Sequence, residues 1–224
     1  MEPMPHGYTN RSVTDGHLVV KSFVGPDPAA RQAREELALR RLAGIPPVPE
    51  LISSVPGTLT TTLAKGVPAQ EAIDAGAADR VLHACGRLLA DVQSVDPRRV
   101  FGSVDHGSVL VHNDFGPNNV VMDPEVTNAR LLCDWEWVMP GDRTSCTDLA
   151  WAEFIVRYHH PESVPALAAL FDGYGDKPTW AHRHAAMTAR ATAHRDFLRS
   201  WQQLQAAATW DQRLATIAAW HETR

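Results

Sequence analysis

The chain has 224 residues, a formal net charge of −5 at pH 7, 44% hydrophobic residues and 21% charged residues. These values describe an ordinary globular protein, long enough for one large domain or for two lobes that share a cleft. The acidic balance argues against a nucleic-acid-binding surface, and no run approaches the roughly 20 apolar residues that span a bilayer. We therefore expect neither nucleic acid nor a membrane as a partner.

The cysteines and the N-terminus both favour a cytoplasmic protein. The three cysteines, Cys85, Cys133 and Cys146, are odd in number and form no paired motif, as expected for reduced thiols. Residues 1–6 lack the basic and apolar regions of a signal peptide. The sequence gives no indication of the oligomeric state.

The first strands of the chain predict a hairpin that carries a lysine. Asp15-Gly16 lies between β-prone runs, which is a strong hairpin signal. In the returning strand, residues 17–24, Lys21 has apolar neighbours on its own face of the strand. A lysine in that position either extends its ammonium into solvent or serves a buried anion.

A helix follows over residues 29–42, where apolar residues recur at helical spacing. A carboxylate on this helix, Glu35 or Glu36, is able to pair with Lys21, although both acids are equally able to pair with arginines on the helix surface. Two strands, residues 50–54 and 58–63, then complete a small antiparallel sheet, and the segment 64–66 is predicted to connect the lobes.

The most informative segment is HNDFGPNN, residues 112–119, followed by the strand-like residues 129–133 and Asp134. Asn119 stands five residues after Asp114, and Asp134 fifteen residues later. Short β-prone runs and tight turns separate these residues, so their side chains are able to converge at one mouth. A carboxylate that accepts a hydroxyl proton and two oxygen ligands for magnesium are the parts required for phosphoryl transfer to an alcohol.

This segment resembles the catalytic loop and metal-binding segment of the aminoglycoside phosphotransferase-like family, which is related to the choline kinases and has a protein-kinase-like fold. The resemblance implies that Asp114 is the catalytic base and that Asn119 and Asp134 bind magnesium. At Asn113 the family usually has glycine, but asparagine tolerates left-handed backbone better than most residues. The resemblance further implies that His112 and Asp148 brace the catalytic loop; Asp148 precedes Leu-Ala as the family residue does. It also suits the first turn of a helix.

The same resemblance extends to the N-terminal residues. Residues 7–10 resemble a short nucleotide loop of the family, which implies that Thr9 and Asn10 contact the nucleotide. Lys21 would hold the phosphates, oriented by Glu35 on the family spacing, with Glu36 still open. The implied cofactors are ATP or GTP together with Mg²⁺.

The rest of the chain has helical patterns over residues 77–94, 147–159, 163–174, 177–208 and 210–220. Together with the resemblance, these patterns imply an α+β, two-lobed, protein-kinase-like fold. Its small antiparallel N-terminal lobe (1–64) binds the nucleotide, and its mainly helical C-terminal lobe (65–224) carries catalysis and the acceptor. The expected function is phosphorylation of a small-molecule hydroxyl, on an aminoglycoside, an amino sugar or a choline-like alcohol. The alternatives are a non-catalytic nucleotide-binding protein and, less favoured, a protein kinase.

Overall fold

The computed structural model describes residues 2–3, 10–45 and 47–222, with the backbone alone for residues 2–3. Thr9, for which the resemblance implies a nucleotide contact, lies outside these residues. Over the described part the chain forms a small antiparallel sheet with one helix, followed by a mainly helical region. The predicted α+β, kinase-like fold class is confirmed, whereas the division of the chain at residue 64 stays a prediction.

The N-terminal sheet has five antiparallel strands in the order β1-β2-β3-β5-β4. The strands are β1 (Glu2–Pro3), β2 (Asn10–Thr14), β3 (Leu18–Phe23), β4 (Leu51–Val55) and β5 (Thr58–Thr62). The predicted hairpin turn forms at Gly16, whose φ of +87° suits glycine. Lys21 is placed on the central strand β3, opposite Ser12 on β2 and Leu59 on β5.

Helix α1 (Pro28–Leu42) connects β3 to β4 and packs on the sheet. Gln32 ties the helix to the β4–β5 turn, because its amide nitrogen donates to the carbonyls of Val55 and Thr58 and its oxygen accepts from the backbone N–H of Gly57. These three bonds satisfy backbone groups of the turn and fix the face of α1 that points inward.

Seven further α-helices belong to the C-terminal region. They are α2 (Ala69–Ala72), α3 (Ala78–Ser94), α4 (Arg98–Phe101), α5 (Thr147–His159), α6 (Leu167–Tyr174), α7 (Trp180–Ser200) and α8 (Leu204–Ala218). Helices α3 and α6 approach so closely that a Cβ on Gly86 would lie 2.2 Å from the carbonyl oxygen of Leu170. None of the described helices combines the length and the apolar content required to cross a bilayer.

Five short strands form two small sheets that flank residues 112–119. They are β6 (Val67–Pro68), β7 (Ser108–Val111), β8 (Val120–Met122), β9 (Ala129–Leu132) and β10 (Met139–Asp142). Strand β7 pairs with β10, and β8 lies between β6 and β9. Residues 112–119 therefore leave one small sheet and enter the other.

Two predicted helices differ from the structure. The single helix over residues 177–208 is wrong: α7 ends at Ser200, and α8 begins at Leu204, because Gln202 adopts a left-handed conformation (φ +56°) that reverses the chain. The helix predicted over 163–174 becomes α-helical only at Leu167, after a 3₁₀ segment that contains Pro165. Proline has no N–H for an α-helical bond, which explains the tighter turn.

Candidate active site

The loop 112–119 is anchored by one buried carboxylate at the start of α5. Asp148 is fully buried, and its two oxygens accept the backbone N–H groups of His112 and Asn113, each at 2.7 Å. Burial raises the pKa of Asp148 to about 7, while these two amide donors act in the opposite direction and favour the ionised form. The predicted brace thus has the geometry to fix the two residues that precede Asp114.

Asn113 takes the conformation that glycine would otherwise supply, with a φ of +64°. Its side-chain amide donates to the carbonyl of Trp137 at 2.9 Å, and its own carbonyl accepts from Nε of Arg190. Asparagine therefore preserves the left-handed turn and adds a hydrogen bond that glycine lacks.

His112 is completely buried, and its ring supports the loop as a neutral group. Nδ1 accepts the backbone N–H of Asp114 at 3.3 Å, which assigns the ring proton to Nε2, where the carbonyl of Cys133 accepts it at 2.8 Å. Burial lowers the pKa of His112 to about 4, despite the attraction of nearby carboxylates. The ring therefore connects the loop to the end of β9 without introducing a charge.

The carboxylate of Asp114 is held in one orientation by two side chains. Its Oδ1 accepts from the indole N–H of Trp151 at 3.0 Å, and its Oδ2 accepts from the amide of Asn119 at 2.9 Å. The side chain remains 26% exposed. A carboxylate that is oriented and also accessible meets the geometric requirement for a general base.

Asn119 and Asp134 come together because the backbone N–H of Cys133 donates to the carbonyl of Asn119 at 2.8 Å. The amide nitrogen of Asn119 bonds Asp114, which leaves its side-chain oxygen with no hydrogen bond to any described residue. The carboxylate of Asp134 is 45% exposed, and only its Oδ1 bonds a described residue. The remaining amide and carboxylate oxygens are the hard donors that Mg²⁺ prefers, so these residues fit a magnesium ion.

Lys21 connects this site to the N-terminal lobe. Its ammonium lies 2.7 Å from Glu35 on α1, 2.7 Å from Asp134 and 3.9 Å from Glu136. The neighbouring acid, Glu36, bonds Arg40 and Ser54 instead. The structure thus places Glu35, and not Glu36, as the ion-pair partner of Lys21.

The charges around Lys21 are strongly coupled. Burial alone would lower the pKa of Lys21, but Asp134, Glu35 and Glu136 raise it above its ordinary value. Desolvation would raise the pKa of Asp134, yet the Lys21 ammonium holds it below its usual range. Burial raises the pKa of Glu35 to about 7 even though Lys21 acts to lower it. Lys21 and Asp134 are therefore both charged at neutral pH.

Behind Lys21 lies a buried cluster that the sequence did not predict. Glu136 accepts from the guanidinium of Arg31 and from the amide of Asn10, each at 2.9 Å, and Arg31 also donates to Asn10 at 3.1 Å. Arg31 and Glu136 are almost fully buried. Asn10 therefore supports the lobe junction, while its implied contact with the nucleotide stays a prediction. The acidic residue two positions after Asp134 was the signal available for this cluster.

A cavity of about 720 Å³ lies elsewhere, between α5, α6 and α7. Its lining includes Glu153, Phe171 and Arg183 but none of the predicted site residues. Glu153 accepts from Arg157 and Arg183, so its buried carboxylate is compensated within the fold. Because the cavity does not reach Asp114, we assign the candidate site to the mouth formed by Lys21, Asp114, Asn119 and Asp134.

Comparison with known proteins bears on the family and the fold. Residues 103–187 match the model of the phosphotransferase enzyme family, whereas no curated protein sequence matches the chain. This family match confirms the resemblance inferred from the residues.

Solved structures resemble the whole chain. One is the GDP and kanamycin complex of APH(2'')-IIia, with a TM-score of 0.75, 10% identity, and coverage of 97% of this chain and 92% of that one. Another is the streptomycin–ATP complex of APH(2'')-IIa, with a TM-score of 0.64, 12% identity, and coverage of 96% and 92%. A choline/ethanolamine kinase family protein from Mesorhizobium loti has a TM-score of 0.64, 18% identity, and coverage of 97% and 87%. Residues 103–187 thus match the phosphotransferase enzyme family, and the chain has the fold seen in aminoglycoside phosphotransferases.

Proposed function

We propose that the protein transfers the γ-phosphoryl group of ATP to a hydroxyl group of a small molecule in a magnesium-dependent reaction. The observation that carries this proposal is the convergence of Lys21, Asp114, Asn119 and Asp134 at one mouth. There the Lys21 ammonium lies 2.7 Å from Asp134, and Asn119 and Trp151 orient the Asp114 carboxylate. Such sites act by positioning and charge neutralisation rather than by covalent chemistry.

On the nucleotide side, Lys21 and its partner Glu35 would hold the phosphates, and Asn119 and Asp134 would hold Mg²⁺. A bound magnesium ion supplies neutralisation of phosphate charge. The Lys21 ammonium lies 2.7 Å from Oδ1 of Asp134, so the proposed phosphate-binding lysine is adjacent to a proposed magnesium ligand. We keep GTP as an alternative donor, because solved neighbours include complexes with GDP as well as with ATP.

On the acceptor side, Asp114 would accept the proton of the hydroxyl as its oxygen bonds to the γ-phosphorus. The bond between the γ-phosphorus and the β–γ bridging oxygen breaks, and ADP leaves with that oxygen. Trp151 and Asn119 hold the Asp114 carboxylate in one orientation, so little rearrangement is required before the proton moves. The proposed acceptors are an aminoglycoside, an amino sugar or a choline-like alcohol, bound by the lobe of residues 65–224.

Asp114→Asn provides the first test. We expect loss of turnover with Mg-ATP affinity within about twofold of the wild type, because the variant lacks the base but keeps the nucleotide ligands. Asp123→Asn is the matched control: this aspartate lies in an exposed turn of the same region and bonds Thr127 and Asn128. Normal turnover in Asp114→Asn would remove Asp114 from the role of base.

Asp134→Ala provides the second test, measured by titration of ATP with and without magnesium. We expect the magnesium-dependent part of the ATP affinity to disappear, because the variant lacks one oxygen ligand for the metal. The variant also removes the ion pair between Lys21 and Asp134. Unchanged titrations would contradict the metal assignment. Tight Mg-ATP binding by the wild type without slow hydrolysis, and without turnover on a broad set of hydroxyl compounds, would favour a non-catalytic nucleotide-binding protein.

A further inference from the structure

Helix α7 brings a cation to the proposed base. Nη2 of Arg190 lies 3.9 Å from Oδ1 of Asp114, and its Nε donates to the carbonyl of Asn113 in the same loop. The Arg190 side chain is only 11% exposed. No motif in the sequence connects Arg190 with Asp114, and the transfer mechanism above does not use it.

Aromatic rings hold this guanidinium in place. Its central carbon lies 5.2 Å from the ring centroid of Trp151 and 5.9 Å from that of Trp137. Trp151 also donates its indole N–H to Asp114, so one side chain orients both the carboxylate and the cation. Among the described residues, Nη1 and Nη2 of Arg190 have no hydrogen-bond acceptor, which leaves the fork of the guanidinium available.

Arg190 and the proposed metal ligand Asn119 approach different oxygens of the Asp114 carboxylate. Asn119 bonds Oδ2 of Asp114, whereas Trp151 and Arg190 approach Oδ1. Oδ2 is therefore the oxygen beside the proposed metal ligand Asn119, and Oδ1 is the oxygen beside Arg190.

The charges on this side do not favour a polycation. Within the described part of the chain, Asp114 is the one carboxylate within 4 Å of the Arg190 guanidinium, and the two charges compensate each other. The next residue along this face of α7, His194, is neutral at pH 7, because burial lowers its pKa to about 4, with a contribution from Arg190. The exposed acids of the region, Asp196 and Asp211, pair with Arg195 and Arg199.

We propose that the Arg190 fork, between Trp137 and Trp151, binds an oxyanion of the acceptor, so that the substrate is a hydroxyl compound with a carboxylate or a phosphate group. A planar guanidinium with free terminal nitrogens matches both groups through paired hydrogen bonds. An acceptor held there has its anionic group beside Asp114, and a neighbouring hydroxyl reaches the base. This inference rests on the proposed phosphoryl transfer, but it replaces the cationic acceptors named above with a hydroxyl compound that carries an anionic group.

The test measures binding of small methyl-bearing probes by saturation-transfer NMR, with Mg-ADP present to fill the nucleotide side. Acetate and methyl phosphate are the anionic probes, acetamide has the shape of acetate without its charge, and ethylammonium is the cation. We expect one or both anions to bind at least tenfold more tightly than acetamide and ethylammonium. The two anions distinguish a carboxylate from a phosphate ester.

Variants assign the preference to the fork. Arg190→Gln should abolish the difference in affinity between the anions and acetamide. If Arg190→Gln fails to fold, Arg190→Lys serves as the second variant. It keeps the charge but not the fork, and it should retain part of the difference. Arg199→Gln removes the same charge from the exposed end of α7, where Arg199 pairs with Asp211, and should leave the preference intact. Equal binding of acetate and acetamide, a preference for ethylammonium, or an anion preference that survives in Arg190→Gln would overturn the inference.

The proposed function is tested separately by Mg-ATP binding and slow ATP hydrolysis in the same samples. Loss of both in the wild type would contradict phosphoryl transfer itself. Normal nucleotide chemistry without anion preference would contradict only the acceptor class.

Discussion

Replacement of Asp148 by asparagine should release the catalytic loop. The asparagine keeps one carbonyl oxygen for one of the two backbone N–H groups, at His112 and Asn113, that Asp148 binds at 2.7 Å. Its amide nitrogen is a donor and faces the other N–H, which is left buried without an acceptor. The next residue in the loop is Asp114, so the change acts on stability and on the geometry of the proposed base.

The size of the effect follows from these two bonds. A hydrogen bond to a charged group contributes about 1.5–3 kcal/mol, and a buried donor without a partner costs about 1–3 kcal/mol. Because Asp148 is fully buried, solvent does not replace the missing acceptor. We therefore expect Asp148→Asn to lower the free energy of unfolding by about 3–5 kcal/mol and turnover by more than tenfold.

Urea unfolding followed by tryptophan fluorescence measures the stability, and the midpoint and slope together give the free energy. Asp142→Asn is the matched control, because Asp142 also accepts two donors from one neighbour, the N–H and the hydroxyl of Thr144, but is exposed. It should cost far less than Asp148→Asn, because water replaces the lost acceptor at this exposed position. Equal losses in the two variants would refute the argument that burial makes the Asp148 bonds strong.

Three further outcomes follow from individual residues. Burial lowers the folded-state pKa of His194 to about 4, so the unfolded chain binds the extra proton first, and stability should fall by about 3 kcal/mol as the pH drops from 6.5 to 4. Comparison of urea midpoints for the wild type and His194→Phe isolates this loss; parallel pH profiles would contradict it. Gly86→Ala should destabilise by about 2–3 kcal/mol or more, because its Cβ would meet backbone atoms of Leu170 and Tyr174 at 2.2 and 2.6 Å, whereas Gly76→Ala, in open space with a φ of +87°, should cost about 1–2 kcal/mol; similar melting temperatures would count against the close helix approach. Burial raises the pKa of Cys85 and Cys133 to about 12 and that of Cys146 to about 11, so iodoacetamide at pH 8 should label none of the three thiols before unfolding; rapid labelling of the native protein would show that the thiols are accessible.

The catalytic loop could be predicted because its geometry is local. Asp114 and Asn119 are five residues apart across a Gly-Pro turn, and a short hairpin brings Asp134 back to the same edge. Turn chemistry restricts such a segment to few conformations, so spacing carries spatial information. The left-handed backbone at Asn113 belongs to the same local geometry, and the structure confirms it.

To choose between Glu35 and Glu36 as the partner of Lys21, one has to know which face of α1 is buried. The buried residues of α1 include Arg31, Glu35, Leu39 and Leu42, which follow one another at spacings of three or four. Glu36 lies about 100° further around the helix and pairs with Arg40 on the more exposed side. The signal was therefore present, but two charged residues on the buried face concealed the apolar stripe.

In helix α7 charged residues conceal the apolar stripe more strongly, and Arg190 was not predicted from the sequence. The inward face of α7 carries Arg183, Met187, Arg190, His194 and Leu198, so that two arginines and a histidine stand among apolar residues at helical spacing. Their carboxylate partners, Glu153 for Arg183 and Asp114 for Arg190, lie 30 and 76 residues away along the chain, and no local rule connects them.

Long charged side chains are seldom buried unless they are paired, so a helix that buries them has partners of specific chemistry. For Arg183 that partner is Glu153, and the bond holds α7 against α5. For Arg190 the partner is the proposed base itself, at 3.9 Å, and its two terminal nitrogens have no hydrogen-bond acceptor among the residues that the structure describes. A purely structural role would be satisfied by the arrangement at Arg183; the open fork at Arg190 is instead what an acceptor site requires.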